Sequence, residues 1–154
     1  MSPKLSTISD QALEAEYIRR NCRQPGALIN NKEMAARHIR SLLVTERHRE
    51  HFVILYLSTA LRLLSSEALF TGTISTSAVY PREIIRRALE LGAASVIMGH
   101  NHPSGSINPS EDDIDITQKI MKALNLLDIS LVDHIIIGHG QADYCSMAEA
   151  GLLE

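Results

Sequence analysis

The chain has 154 residues, a formal net charge of −3, and a composition that is 45% hydrophobic and 21% charged. This length and composition predict a single globular domain, and the absence of a signal-peptide pattern and of any apolar run near the roughly 20 residues of a membrane span predicts a cytoplasmic protein. The acidic balance argues against a nucleic-acid-binding surface, and Cys22 and Cys145 are too few and too far apart for a disulfide framework or a cysteine-rich zinc site.

The first predicted element is an N-terminal helix. A cap signal at Ser9 or Asp10 predicts a helix to about Asn21, which ends before Pro25. Residues 1–29 are therefore interpreted as an N-terminal helical arm.

A second helix is predicted from Asn30 and Glu33, which together form a cap signal. This helix runs into a basic cluster, and a solvated helix face is a better interpretation of the cluster than a site for an anionic partner. The cluster consists of Arg37, His38, Arg40, Arg47, His48 and Arg49.

Strand-like runs follow at about residues 50–58, 61–68 and 72–79. Pro81 fits the first turn of the next helix, and Gly92 fits its C-terminal cap. The order of strands and helices is typical of an α/β domain.

The most informative segment follows a predicted buried strand at residues 94–99. His100 and His102 have the spacing i and i+2, so their side chains project from one face if strand geometry persists. Ser110 then begins a helix, and Asp113 lies in its first turn. Two imidazoles and one carboxylate leave a fourth tetrahedral position for water, which is the pattern of a catalytic zinc site.

Ser110 and Asp113 also match a plain capping box, which by itself would explain both residues. Their combination with two histidines around a loop rich in Pro, Gly and Ser favours the metal interpretation. One zinc ion per chain is the preferred assignment, although the same ligand types also suit iron and other transition metals.

The remaining elements complete the predicted domain. The helix after Ser110 carries an apolar stripe that includes Thr117, residues 129–137 form a long buried strand, and a last strand lies near Tyr144. His134 and His139 are interpreted as packed or surface histidines, because no motif places them near the histidine pair. The whole pattern predicts a mixed β-sheet with helices on both faces.

The spacing of His100, His102, Ser110 and Asp113 matches the JAMM motif without gaps, and the chain resembles the JAB/MPN metalloprotease family. The words H-N-H-P-S-G, Y-P-R-E-I-I-R-R-A-L-E and D-H-I-I-I-G resemble its RadC branch. The resemblance implies a JAB/MPN-like, cytidine-deaminase-like fold over residues 30–154. It also implies a short form without the N-terminal helix-hairpin-helix region of typical RadC proteins.

The resemblance further implies roles for the motif residues. His100, His102 and Asp113 would ligate zinc, and Ser110 would polarise the substrate carbonyl or stabilise its oxyanion. An upstream glutamate acts as general base in this family.

Glu50 is the candidate for that base, because it directly precedes the first strongly strand-like run. Glu46 and Glu67 compete for the role, but neither precedes a long apolar strand. An ordinary solvated strand end is the alternative interpretation of Glu50.

These residues predict a zinc-dependent hydrolase, a metallopeptidase or isopeptidase that acts on a peptide or protein substrate. Two alternatives stay open: a non-catalytic binding protein on a JAB scaffold, and a factor associated with DNA repair or recombination. A zinc deaminase is less favoured, because its signature requires a downstream cysteine pair. The substrate and the oligomeric state stay open.

Overall fold

The computed structural model describes residues 9, 12, 26–43, 48–71, 80–140 and 142–154. Ser9 Oγ accepts a hydrogen bond from the Ala12 N–H (3.2 Å), as expected of a helix cap, but the rest of the predicted N-terminal helix lies outside the described residues. The predicted strand at residues 72–79 lies outside them as well. Among the described helices, none has the length and hydrophobicity of a transmembrane span.

The described residues form a mixed sheet flanked by helices. The strand order is β2-β1-β3-β4-β5, in which β3 and β4 are parallel and the other neighbours are antiparallel. This sheet confirms the predicted α/β fold. In chain order the elements are α1 (Lys32–Leu43), β1 (His51–Leu57), β2 (Leu63–Thr71), α2 (Pro81–Leu91), β3 (Ser95–Asn101), α3 (Glu111–Asn125), β4 (Ser130–Ile137) and β5 (Tyr144–Ser146).

Helices cover both faces of the sheet, as predicted. Successive side chains of a strand point to opposite faces, so β1 and β3 each contribute to two hydrophobic clusters. On the α3 face, which α2 and α3 cover, the strand residues are Phe52, Ile54, Tyr56, Val96 and Met98. On the α1 face, which α1 covers, they are Val53, Leu55, Leu57 and Ile97.

The helix ends agree with the predicted caps, with one exception. Helix α2 begins at Pro81 and is capped at its C-terminus by Gly92, whose left-handed backbone (φ 66°) suits a residue without a side chain. The prediction of Asn30 as the cap of α1 is wrong, because Asn31 Oδ1 accepts the Met34 N–H (2.8 Å). Adjacent asparagines are chemically equivalent as caps, and the helix starts one residue later than predicted.

His38 departs from the predicted basic surface. Arg37 is exposed, but His38 is only 6% exposed and its Nε2 lies 2.8 Å from Ser66 Oγ of β2. Burial lowers the pKa of His38 to about 4. The interpretation of the basic cluster as a solvated face is therefore wrong for His38, which lies one helical turn after buried Ala35 and faces the sheet.

Helix α1 packs directly on the strand that carries the histidine pair. A Cβ atom added to Gly99 would lie 2.7 Å from the Ile39 side chain, which is closer than side-chain packing allows. Gly99 thus permits the contact between α1 and β3 immediately before His100.

Candidate metal centre

The histidine pair lies where β3 ends. His100 is fully buried on the α3 face, and its ring stacks on Phe52 with centroids 5.9 Å apart. His102 follows the strand directly, and its Nε2 lies 3.0 Å from His100 Nε2. The structure thus brings the two imidazoles together, as their i and i+2 spacing predicts.

Asp113 meets the pair from the first turn of α3. Its carboxylate oxygens lie 3.2 Å from His100 Nε2 and 3.1 Å from His102 Nε2. The capping box is also present, since Asp113 Oδ2 accepts the Ser110 N–H and Ser110 Oγ accepts the Asp113 N–H. The cap and the contact with the histidines coexist, so the capping box does not exclude a metal site.

Glu50 lies beside the same pair. Its carboxylate and the ligand atoms of His100 and His102 are all within 4.8 Å of one another. Glu67 lies opposite Ile54, in the middle of β1, and accepts a hydrogen bond from Arg87 Nε (2.7 Å). Glu46 lies outside the described residues. The structure therefore places Glu50 beside the histidines, whereas Glu67 pairs with Arg87.

A series of hydrogen bonds connects two of the predicted ligands, His100 and Asp113, on the buried side of the site. His100 Nδ1 lies 2.7 Å from His134 Nε2, and His134 Nδ1 lies 2.6 Å from Thr117 Oγ1. Thr117 donates its hydroxyl proton to the backbone carbonyl of Asp113. The series starts at one predicted ligand and ends at another.

These partners assign the tautomers of the histidines. Thr117 has one hydroxyl proton and gives it to a carbonyl, so it accepts from the His134 Nδ1–H. His134 Nε2 is then an acceptor, and His100 donates to it through Nδ1–H. His102 Nδ1 lies 2.9 Å from the Ser106 carbonyl, which can only accept. The Nε2 atoms of His100 and His102 therefore carry lone pairs that face each other.

A cation is required to stabilise this arrangement. Two lone pairs and a carboxylate within 3.2 Å repel one another unless a metal ion or protons lie between them. The hydrogen bond with Asp113 raises the pKa of His102. When protons rather than a metal ion lie there, burial opposes ionisation of Asp113, but hydrogen bonds from the protonated Nε2 atoms of His100 and His102 outweigh it, and the pKa of Asp113 lies well below the ordinary value.

The spacing of the donor atoms fits a divalent metal ion. Ligand atoms bound tetrahedrally to zinc at 2.0–2.1 Å lie about 3.3 Å apart. The separations of 3.0, 3.1 and 3.2 Å among His100, His102 and Asp113 are close to this value. Nitrogen and carboxylate oxygen donors are also the ligand types that zinc binds.

The sequence patterns did not indicate His134 and Thr117 as neighbours of the site. His134 is fully buried, as predicted for a packed histidine, but it contacts His100 directly. Burial lowers the pKa of His134 well below its ordinary value, so it is neutral, as the assigned tautomer requires. His139 is exposed and lies against Gly105 of the loop after His102.

Comparisons with known proteins agree with this geometry. The model of the RadC-like JAB domain matches residues 29–152. The chain belongs to the RadC-like JAB domain family. This confirms the resemblance drawn from the motif. The family is typically one of JAMM-type metal-dependent hydrolases, and the group of Glu50, His100 and His102 fits a metal site of this kind.

Several bacterial proteins are similar to this chain. UPF0758 protein YeeS of Escherichia coli is 41% identical over 153 residues, which cover 99% of this chain and 100% of YeeS. UPF0758 protein YfjY of Escherichia coli is 45% identical over 134 residues, which cover 87% of this chain and 82% of YfjY. A UPF0758 protein of a Marinomonas species is 48% identical over 122 residues, or 77% of this chain.

The chain spans about half the length of some of these relatives. The match covers 54% of the Marinomonas protein and 51% of a UPF0758 protein of Photobacterium profundum. None of these names states a substrate or an activity.

Proposed function

We propose that this RadC-like JAB domain is a zinc-dependent hydrolase of peptide or isopeptide bonds. The observation that supports this best is the convergence of His100 Nε2, His102 Nε2 and the Asp113 carboxylate within 3.2 Å, with Glu50 beside them. In this proposal the two histidines and Asp113 hold the metal. The substrate is a peptide or a protein.

The exposure of these residues indicates where a substrate would enter. His100 and Asp113 are 0% and 1% exposed, whereas the side chain of His102 is 16% exposed and Glu50 is half-buried. The ligands are thus closed off on the α3 side and reachable from the side of His102 and Glu50. A carbonyl group entering there would meet the metal position and the glutamate together.

Glu50 is proposed as the general base. A divalent metal bound here supplies a Lewis acid that polarises a carbonyl oxygen and acidifies water. Glu50 takes the proton from the attacking water and returns it to the leaving amine, because it is the carboxylate beside the histidines that is not proposed as a ligand.

Ser110 is proposed to stabilise the oxyanion. Its Oγ accepts the Asp113 N–H with a lone pair, which leaves the hydroxyl proton to be donated to a developing negative charge. Ser110 is exposed and caps α3, so the helix dipole also favours an anion at this position.

The metal content tests the first half of the proposal. Protein purified without chelator is compared with a His100→Ala, His102→Ala double variant by elemental analysis. We expect about one zinc per chain in the wild type, because two imidazoles and a carboxylate suit one zinc ion, and its loss in the variant. Equal or negligible zinc in both proteins would contradict the site and favour the capping box as the sole role of Ser110 and Asp113.

Substitution of Glu50 tests the second half. Glu50→Gln should lower turnover on a panel of peptide and isopeptide substrates by about 10²–10⁴-fold, because the amide cannot take a proton, while zinc stays bound. Glu67→Gln is the matched control and should keep turnover, since Glu67 pairs with Arg87 away from the site. Full activity of Glu50→Gln would refute the base assignment. Bound zinc without hydrolysis of any substrate in the panel would favour the non-catalytic alternative.

A further inference from the structure

Asn101, which separates the two histidines, bonds to the segment that carries Glu50. Its side-chain Oδ1 accepts the His51 N–H (2.9 Å), and its Nδ2 donates to the Arg49 carbonyl (3.0 Å). The residue is only 7% exposed. Neither the metal motif nor the proposed chemistry uses this side chain.

The two Asn101 hydrogen bonds continue the pairing of β1 and β3 past the last backbone pair. The antiparallel ladder between β1 and β3 reaches as far as the pair of Phe52 and His100. Strand alternation places the Asn101 side chain on the face opposite to that of His100, and its two hydrogen bonds reach the residues that lead into β1. The Asn101 amide thus makes hydrogen bonds where the next backbone pair of the ladder would lie.

Both peptide groups adjoining Glu50 are held by this one amide. The Arg49 carbonyl belongs to the peptide before Glu50, and the His51 N–H belongs to the peptide after it. Fixing the two peptides restricts the backbone rotations that direct the Glu50 side chain. An amide side chain has the required donor and acceptor in one plane, whereas a carboxylate lacks the donor.

The metal ligands do not depend on these bonds. His100 is held by His134 and Phe52, and His102 is held by the Ser106 carbonyl. Loss of the Asn101 amide should therefore loosen the Glu50 segment on the side of β3 and leave the histidine pair in place.

We propose that Asn101 is a positioning residue that keeps Glu50 in reach of the metal ligands. The inference rests on the proposed role of Glu50 as general base. The middle residue of H-N-H is then more than a spacer, because it joins the base to the strand that carries the ligands. A misplacement of a reacting group by about 1 Å can lower a rate by about 10²-fold.

Two measurements test the proposal without a substrate. Amide hydrogen exchange of metal-free Asn101→Ala should be faster by roughly fivefold or more at His51, because one hydrogen bond is lost there. The zinc dissociation constant, from competition with a chelator, should stay within about threefold of the wild type, since the cost of removing a ligand partner is about ten- to a hundredfold. Ser95→Ala, at the other end of β3, is the matched control and should change neither quantity.

A third measurement separates positioning from general destabilisation. On a cleavable substrate, Asn101→Ala should lower kcat by about ten- to a hundredfold with KM nearly unchanged, because only the base is displaced. In the Glu50→Gln background the same substitution should have no further effect, since residues that act as a unit are not additive. Asn101→Asp keeps the acceptor for His51 and guards against a variant that fails to fold, but its carboxylate faces the Arg49 carbonyl in place of the amide donor, so turnover should fall as in Asn101→Ala.

Each contrary result has a distinct meaning. Unchanged exchange at His51, or zinc affinity that falls ten- to a hundredfold in Asn101→Ala, would overturn the proposal, the latter because Asn101 would then act on the histidines. Additive losses of kcat with Glu50→Gln would overturn it as well. If the wild type cleaves no substrate, the hydrolase proposal fails, while the exchange and zinc measurements still decide whether Asn101 holds the Glu50 segment independently of the ligands.

Discussion

Two buried histidines lie on opposite faces of the sheet and differ in what they contact. His134 lies on the α3 face and is bonded at both ring nitrogens, to His100 and to Thr117. His38 lies on the α1 face, and its Nε2 contacts Ser66 of β2. Burial lowers the pKa of both residues. Burial and a lowered pKa therefore do not by themselves distinguish the two histidines, whereas only His134 is hydrogen-bonded to a proposed metal ligand.

The contrast predicts opposite effects of substitution. The contacts of His38 belong to packing between α1 and β2, so its loss should change stability and not metal binding. The contacts of His134 lead to His100 and, through Thr117, to Asp113, so its loss should change metal binding. Three measurements test this distinction between His38 and His134.

The largest effect is expected on the loss of stability at acid pH that buried His38 causes. Its folded pKa of about 4 lies below the unfolded value of 6.5, so between these pH values the unfolded chain binds a proton that folded His38 does not. Its contribution to the free energy of unfolding is therefore intact above pH 6.5 and decreases as the pH falls towards 4. The full decrease corresponds to about 3 kcal/mol at most.

Urea unfolding of the metal-free protein at several pH values between 7.5 and 4 measures this decrease. His38→Gln removes this titrating group and should reduce the pH dependence, to which buried His134 still contributes, while exposed His48→Gln should leave it unchanged. The zinc affinity of His38→Gln should equal that of the wild type. A pH dependence that is the same in wild type and His38→Gln would show that burial does not penalise the charged form of this residue.

The next effect concerns zinc affinity and His134. His134→Phe keeps a ring of similar size and removes the acceptor that fixes the His100 tautomer. Loss of such a partner lowers metal affinity by about 10–100-fold, or about 1.4–2.8 kcal/mol. Chelator competition at pH 7.5 measures the dissociation constant, with His38→Gln as the matched buried-histidine control. Equal affinities of His134→Phe and the wild type would remove the distinction between the two histidines.

The sequence predicted the parts of this site that are local. His100, His102, Ser110 and Asp113 lie in one segment, and strand alternation followed by a helix cap is sufficient to predict that their side chains converge. Glu50 could be selected from three glutamates because it alone directly precedes a long apolar strand, and the structure places it beside the histidines. The pattern of strands and helices predicted the mixed sheet, but the strand order β2-β1-β3-β4-β5 was not among the predictions, because it depends on pairing between distant segments.

The parts that were missed depend on contacts between distant segments. His134 reaches His100 because β4 lies parallel to β3 with His134 opposite Met98, and periodicity within β4 does not determine this register. Thr117 was predicted as part of an apolar stripe, and its hydroxyl has a role only because His134 lies beside it. His38 was assigned to the surface from its residue type, although the turn that contains buried Ala35 indicates the inward face of α1.

The smallest effect is expected from Thr117, which contacts the metal site only through His134 and the Asp113 backbone. Thr117→Val keeps the shape and removes the hydroxyl, so the His134 Nδ1–H loses its acceptor and His134 is less firmly oriented. One hydrogen bond is worth about 1 kcal/mol, which corresponds to roughly a fivefold weaker zinc affinity by chelator competition. Thr117→Ser restores the hydroxyl and should restore the affinity. If Thr117→Val weakened zinc binding as much as His134→Phe, Thr117 would act on Asp113 directly; if Thr117→Ser failed to recover, packing of the methyl group rather than the hydrogen bond would orient His134.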